Sequence, residues 1–185
     1  YCPVKGLTVG ASFYASDMSH FPSFGPLFPE DVDEWMPVPD AVDLVLEAST
    51  MESVFAAQRL SRVDAMRREL LREAAGRGAG VTDIVERSIR LELAAAMRIT
   101  EYSAGRMIVH AEALVRRYPQ ALDALGQGRI TITHAELIAD DLDQLPPELR
   151  DPVVSRVIDL ADAEPVGTFR RALRALIETL QAATL

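Results

Sequence analysis

From Asp40 to Gly76 the sequence contains no proline and no glycine before its last residue, and Leu60, Val63, Met66, Leu70 and Ala74 recur at three- and four-residue intervals. Those intervals follow the turn of about 3.6 residues of an α-helix, so the segment predicts one long helix, or two with a joint near Ser49 and Thr50. Asp40 is placed to cap it, since an aspartate carboxylate can accept from the free N–H groups of a first turn. An apolar stripe of that length has to be covered, and the residues that follow supply helices to cover it.

The stretch Gly76 to Gly80 ends the long helix, and Thr82 or Asp83 can cap a second one running to about Arg98. Further helices read as roughly 101 to 117, 119 to 126, 132 to 144, 147 to 161 and 165 to 182, with Pro147 and Pro165 suited to first-turn positions. Thr131 or Thr133 opens the helix at 132, and Thr133 with Glu136 has the spacing of a capping box. No convincing strand appears. The reading is an all-α, multi-helix bundle of helical hairpins containing a helix-turn-helix-like pair at about 83–117. Before it, residues 1–39 hold six of the eleven prolines and the aromatics Phe13, Tyr14, Phe21, Phe24, Phe28 and Trp35, which predicts an irregular arm packed on the body or docked on a partner.

A chain of 185 residues with 49% hydrophobic side chains can bury a core without staples. Its single cysteine, Cys2, has no internal disulfide partner, and His20, His110 and His134 lie far apart, so a reduced, cytoplasmic setting is expected and no metal or cofactor is. No apolar run approaches the roughly 18 residues of a membrane span, and no membrane partner is expected. The chain starts without methionine and stops within a helical pattern, as a processed product or an excerpt of a longer protein would. The formal charge of −9 argues against a surface that binds phosphates everywhere. Its distribution is uneven: residues 1–60 carry −7, 61–85 carry +1, 86–118 carry +2 and 119–185 carry −5.

The locally basic middle holds AAAMRITEYSAGRMIVHAEAL, two apolar-periodic runs broken at Ile99 and Thr100. In a helix-turn-helix the first helix crosses the second through a small residue, the turn is short, and a hydroxyl caps the second helix. Leu93, Met97, Ile99, Ala104, Met107, Ile108 and Ala111 would form the shared core, Ala94 the close crossing and Thr100 the cap. Glu101, Tyr102, Ser103, Arg106 and His110 would then form an outer face, with Arg106 and His110 four residues apart on one side. The candidate DNA-binding residues are therefore Thr100, Tyr102, Ser103, Arg106 and His110, and double-stranded DNA is the candidate partner. Arg98 stands where such turns often carry glycine, and Glu101 would repel phosphates, so an ordinary helical corner stays open as the alternative.

The succession LAAAMRITEYSAGRMIVHAEAL, then ALDALGQGRITITHAELIADDLDQLPPEL, resembles the actinobacterial domain of unknown function 222 over about residues 41 to 182, most specifically in its GRIT-x-x-HA segment. That resemblance implies a helical domain of the kind that often precedes a C-terminal HNH endonuclease module. The same order of segments is similar, more distantly, to the helix-turn-helix region of the partition protein ParB. An HNH nuclease holds its metal with paired histidines and an ordering asparagine, whereas this chain has no asparagine and three scattered histidines. The resemblance thus implies a module that does not cut by itself.

Other clusters read as structural. Glu136, Asp140, Asp141 and Asp143 match no calcium loop and predict a solvated helix face, and His134 near a helix start predicts a bond to the preceding turn. Two function classes follow: a DNA-associating module, or a structural or oligomerising domain in which the long helix 40–76 pairs with a second copy.

Overall fold

The computed structural model describes residues 39–78 and 83–182, and these described residues belong to one compact unit. The expectations for the arm at 1–39 and for a cap at Thr82 lie outside the described residues, apart from Pro39. The described residues are all-α with no strand: α1 (Ala41–Gly76), α2 (Asp83–Met97), α3 (Glu101–Arg116), α4 (Pro119–Gly126), α5 (Ile132–Leu142), α6 (Pro147–Arg150), α7 (Val154–Ala163) and α8 (Val166–Ala182).

The long helix is one piece. Asp40 accepts from the backbone N–H groups of Val42 and Asp43, and the Asp43 carboxylate accepts from the Asp40 N–H, closing a capping box. No break occurs at Ser49 and Thr50, where the Ser53 hydroxyl donates to the Ser49 carbonyl within the helix. Burial of α1 begins only at Ser53, while residues 41–49 are all exposed, Val42, Val45 and Leu46 among them.

α3 is the hub, packing against α1, α2, α4 and α5; α8 closes the other side on α5 and α7. Leu114, Tyr118, Leu125, Ile138, Leu142, Val157, Phe169 and Leu173 fill the interior between them. The turn after α4 depends on Gly128, at φ 72, which donates to the Leu125 carbonyl while Arg129 donates to that of Ala124. A Cβ at Gly128 would stand 2.4 Å from Thr50 Cγ2, so α1 also approaches this turn too closely for a side chain.

Two boundaries differ from the sequence reading. The helix expected at 147–161 is interrupted by a 3-10 turn at Asp151–Val153, because Pro152 has no N–H to donate and its ring blocks a regular α-helical turn. The cap of α5 is Thr131, whose box partner is His134, and not Thr133 with Glu136. The His134 Nδ1 accepts from the Thr131 N–H at 3.3 Å and its Nε2–H donates to the Glu164 carbonyl at 3.1 Å, tying the start of α5 to the C-cap of α7 as a neutral ring. Burial, outweighing the Glu164 bond, lowers its pKa and keeps it neutral. The ring also meets Phe169 edge-on, at 5.1 Å between centroids.

Candidate functional site

The corner between α2 and α3 is built on three residues. Ile99 donates to the Ala94 carbonyl at 3.0 Å and Arg98 to that of Ala95 at 3.3 Å, the bond pattern that ends a helix through a left-handed residue. That residue is Arg98, at φ 56, the one non-glycine with positive φ among the described residues. A left-handed arginine costs about 1 kcal/mol or more relative to an unstrained backbone. Thr100 follows as N-cap of α3, its Oγ1 accepting from the Ser103 N–H at 3.1 Å and lying 2.9 Å from the Ser103 hydroxyl. Inside the corner, Leu93, Ala94, Ala104, Ile108 and Ala111 are buried, and Met97, Ile99 and Met107 are partly buried against them.

The outer side of the corner is a mixed-charge surface. Glu101 sits between Arg87 Nε at 3.5 Å and Arg90 Nε at 3.6 Å, so the acid at the start of α3 is flanked by two guanidinium groups. Tyr102 is 76% exposed. Gly105 lets Arg90 lie across α3, since a Cβ there would be 3.2 Å from Arg90 Cδ. Arg90, Tyr102, Gly105, Val109 and Asp140 line an open depression of about 580 Å³ together with Glu101, Arg106 and His110.

His110 corrects the expected outer face. It shares a side of α3 with Arg106, but α5 covers its end of that side and leaves the residue 2% exposed. Its Nε2 is 2.8 Å from Asp140 Oδ1 and its Nδ1 is 3.5 Å from Glu136 Oε1. Arg106 Nη2 reaches the other Asp140 oxygen at 3.1 Å. Burial opposes the charged ring, yet the hydrogen bonds and charges of Glu136 and Asp140 together outweigh it and raise the His110 pKa. The Glu136 pKa is lowered, first by the His110 bond. With both ring nitrogens engaged, His110 has no free lone pair to act as a base; it is half of a charged clamp between α3 and α5.

Asp140 and Asp143 are exposed, as a solvated face requires, and each is also held in ion pairs. Asp143 accepts from the buried Tyr118 hydroxyl at 2.6 Å and from Arg117 at 3.1 and 2.6 Å, while the Arg150 guanidinium lies 5.6 Å from the Tyr118 ring centre. Burial and then the Asp143 bond push the Tyr118 pKa up. Asp141 is half-buried, and burial raises its pKa. No group of three or more His, Cys, Asp or Glu with metal-holding geometry occurs among the described residues.

Of the five candidate residues, Thr100, Tyr102, Ser103 and Arg106 share the exposed first two turns of α3 and its cap, and His110 lies beneath them. The candidate face read from the sequence left out Arg87 and Arg90, which reach Glu101 at its edge. No helix among the described residues is long and apolar enough to cross a membrane. The model of the family described as Domain of unknown function (DUF222) matches residues 50–183. No curated protein and no solved structure matches the chain.

Proposed function

We propose that this chain, which belongs to the domain of unknown function 222 family, is a non-catalytic helical module that associates with double-stranded DNA through the α2–α3 corner, used as a helix-turn-helix. The observation that carries the reading is Arg98. A glycine would relieve the turn of its strain, and the residue held there at a cost is an exposed arginine just before the Thr100 cap of α3, whose guanidinium would serve DNA at the helix start. Arg87, Arg90 and Arg106 stand around the same entrance, and the flanking pair Arg87 and Arg90 offsets the phosphate repulsion of Glu101. Tyr102 and Ser103 would face a groove; Thr100 would hold the helix start, and His110 would fix α3 from below.

In this reading the module positions DNA for cleavage by another part of an HNH-type protein. Arg106 must loosen from Asp140 to reach a phosphate, so binding is expected to be modest and sensitive to the acids nearby. Arg106→Ala should weaken binding to duplex DNA by about 1–3 kcal/mol for a base contact, or reduce the salt slope by about one for a phosphate contact. Glu101→Gln should strengthen binding. Duplex affinity unchanged by both substitutions would reject the assignment of this surface.

A further inference from the structure

Arg59 stands on the exposed side of α1, next to α3 and α5. Its charge acts on Glu136 of α5, yet it forms no ion pair with any described residue. With Leu60 it walls a second cavity, of about 260 Å³, whose other sides include Tyr102, Ser103 and Arg106 of α3 and Glu136. That cavity adjoins the depression at the α2–α3 corner and shares Tyr102, Arg106 and His110 with it. An arginine without a carboxylate of its own, opening onto the same space as a second arginine and a hydroxyl, is arranged for an anion.

The acids nearby are already engaged. His110 lies 3.5 Å from Glu136 and 2.8 Å from Asp140, and Arg106 reaches Asp140 at 3.1 Å. With His110 protonated, as its raised pKa favours below pH 6.5, three cations stand against two carboxylates and leave a surplus of positive charge. Ser103 supplies a neutral donor. Thr100 Oγ1 accepts from the Ser103 N–H, and by donating its own hydrogen to the Ser103 oxygen, 2.9 Å away, it leaves the serine hydrogen free.

We propose that Arg59, Ser103 and Arg106 seat one phosphate of the DNA backbone in this cavity, so that α1 joins α3 in the contact. The inference rests on the DNA reading of the α2–α3 corner. When a recognition helix reads base edges, the elements flanking it meet the backbone, and α1 packs directly on α3. A phosphodiester offers two non-bridging oxygens, one for each guanidinium.

Binding of the full chain to a labelled duplex, followed by anisotropy at about pH 6 from about 25 to about 200 mM salt, tests the seat. Arg59→Gln should make the salt slope shallower by about one. Arg59→Gln combined with Arg106→Gln should remove no more than about one, because both lose the same phosphate. Arg62→Gln deletes the same charge from α1 on the groove it forms with α4, and should leave the slope unchanged. Neither Arg59 nor Arg62 has an ion pair to lose among the described residues, so thermal unfolding should match wild type in both single variants. A wild-type slope in Arg59→Gln overturns the seat and leaves the corner reading standing. A loss of about two in the double variant also overturns it, since the arginines would then hold separate phosphates. An Arg62→Gln slope as shallow as that of Arg59→Gln does the same, because diffuse charge would suffice. Wild-type protein that binds no duplex rejects the corner reading and the seat together.

Discussion

His110→Gln tests the clamp that holds α3 against α5. The His110 side chain is 3% exposed and reaches Asp140 at 2.8 Å and Glu136 at 3.5 Å. A desolvated hydrogen bond to a charged group contributes about 1.5–3 kcal/mol. The Asp140 and Glu136 side chains remain 45% and 40% exposed, and the Glu136 contact is long, so the pair together should contribute roughly 1–2 kcal/mol. A glutamine of similar length keeps most of the packing and removes the titrating charge. Because the folded protein raises the His110 pKa, this contribution is fully present below the ordinary value of 6.5 and is lost as pH rises through the folded value. Glu136, its pKa lowered first by the His110 bond, loses its share as pH falls below 4.5 through its own folded value. His134, its pKa lowered by burial, acts in the opposite sense to His110, and comparing the two proteins cancels its effect. Urea unfolding at about pH 5.5 and about pH 8.5 should show wild type more stable than His110→Gln at the lower pH, with the gap narrowing at the higher. Equal gaps at both pH values, or none at either, would refute the clamp.

Three further substitutions probe the frame around the site. Gly128→Ala should cost about 2 kcal/mol or more in urea unfolding, since the turn needs φ 72 and the new methyl would stand 2.4 Å from Thr50 Cγ2; adding Thr50→Ser should recover part of the loss. Arg98→Gly should stabilise the fold by about 0.5–1 kcal/mol by relieving the left-handed arginine, while weakening DNA binding. Tyr118→Phe should cost about 1–2 kcal/mol in the same assay, because it deletes the 2.6 Å bond to Asp143 inside a buried contact.

The helices were legible because each announces itself locally. Asp40, Thr100, Gly128 and Pro119 mark starts and stops, and the apolar spacing of α1 to α5 marks the faces to be buried. Pro152 was legible in principle, but the apolar period continues across it and hides the 3-10 turn. The clamp was not legible, because Arg106 and His110 meet Asp140 across 34 and 30 residues, a separation that no periodicity couples. One signal was present: Arg106 and His110 are spaced i, i+4 on α3, and Glu136 and Asp140 are spaced i, i+4 on α5, two complementary pairs on helices that pack together. Arg98 looked like a departure from the turn's usual glycine, and the backbone takes the left-handed conformation regardless.

Engagement of duplex DNA by the arginines of the α2–α3 corner is the proposal most directly open to measurement. Anisotropy of a labelled duplex should be titrated with the full chain, from about 25 to about 200 mM salt, beside a variant carrying Arg87→Gln, Arg90→Gln and Arg98→Gln. The logarithm of the binding constant should fall linearly with the logarithm of salt, with a slope shallower by about two to three units in the variant. Wild-type protein with no salt-sensitive binding at the lowest ionic strength, or a variant with the same slope, would contradict it.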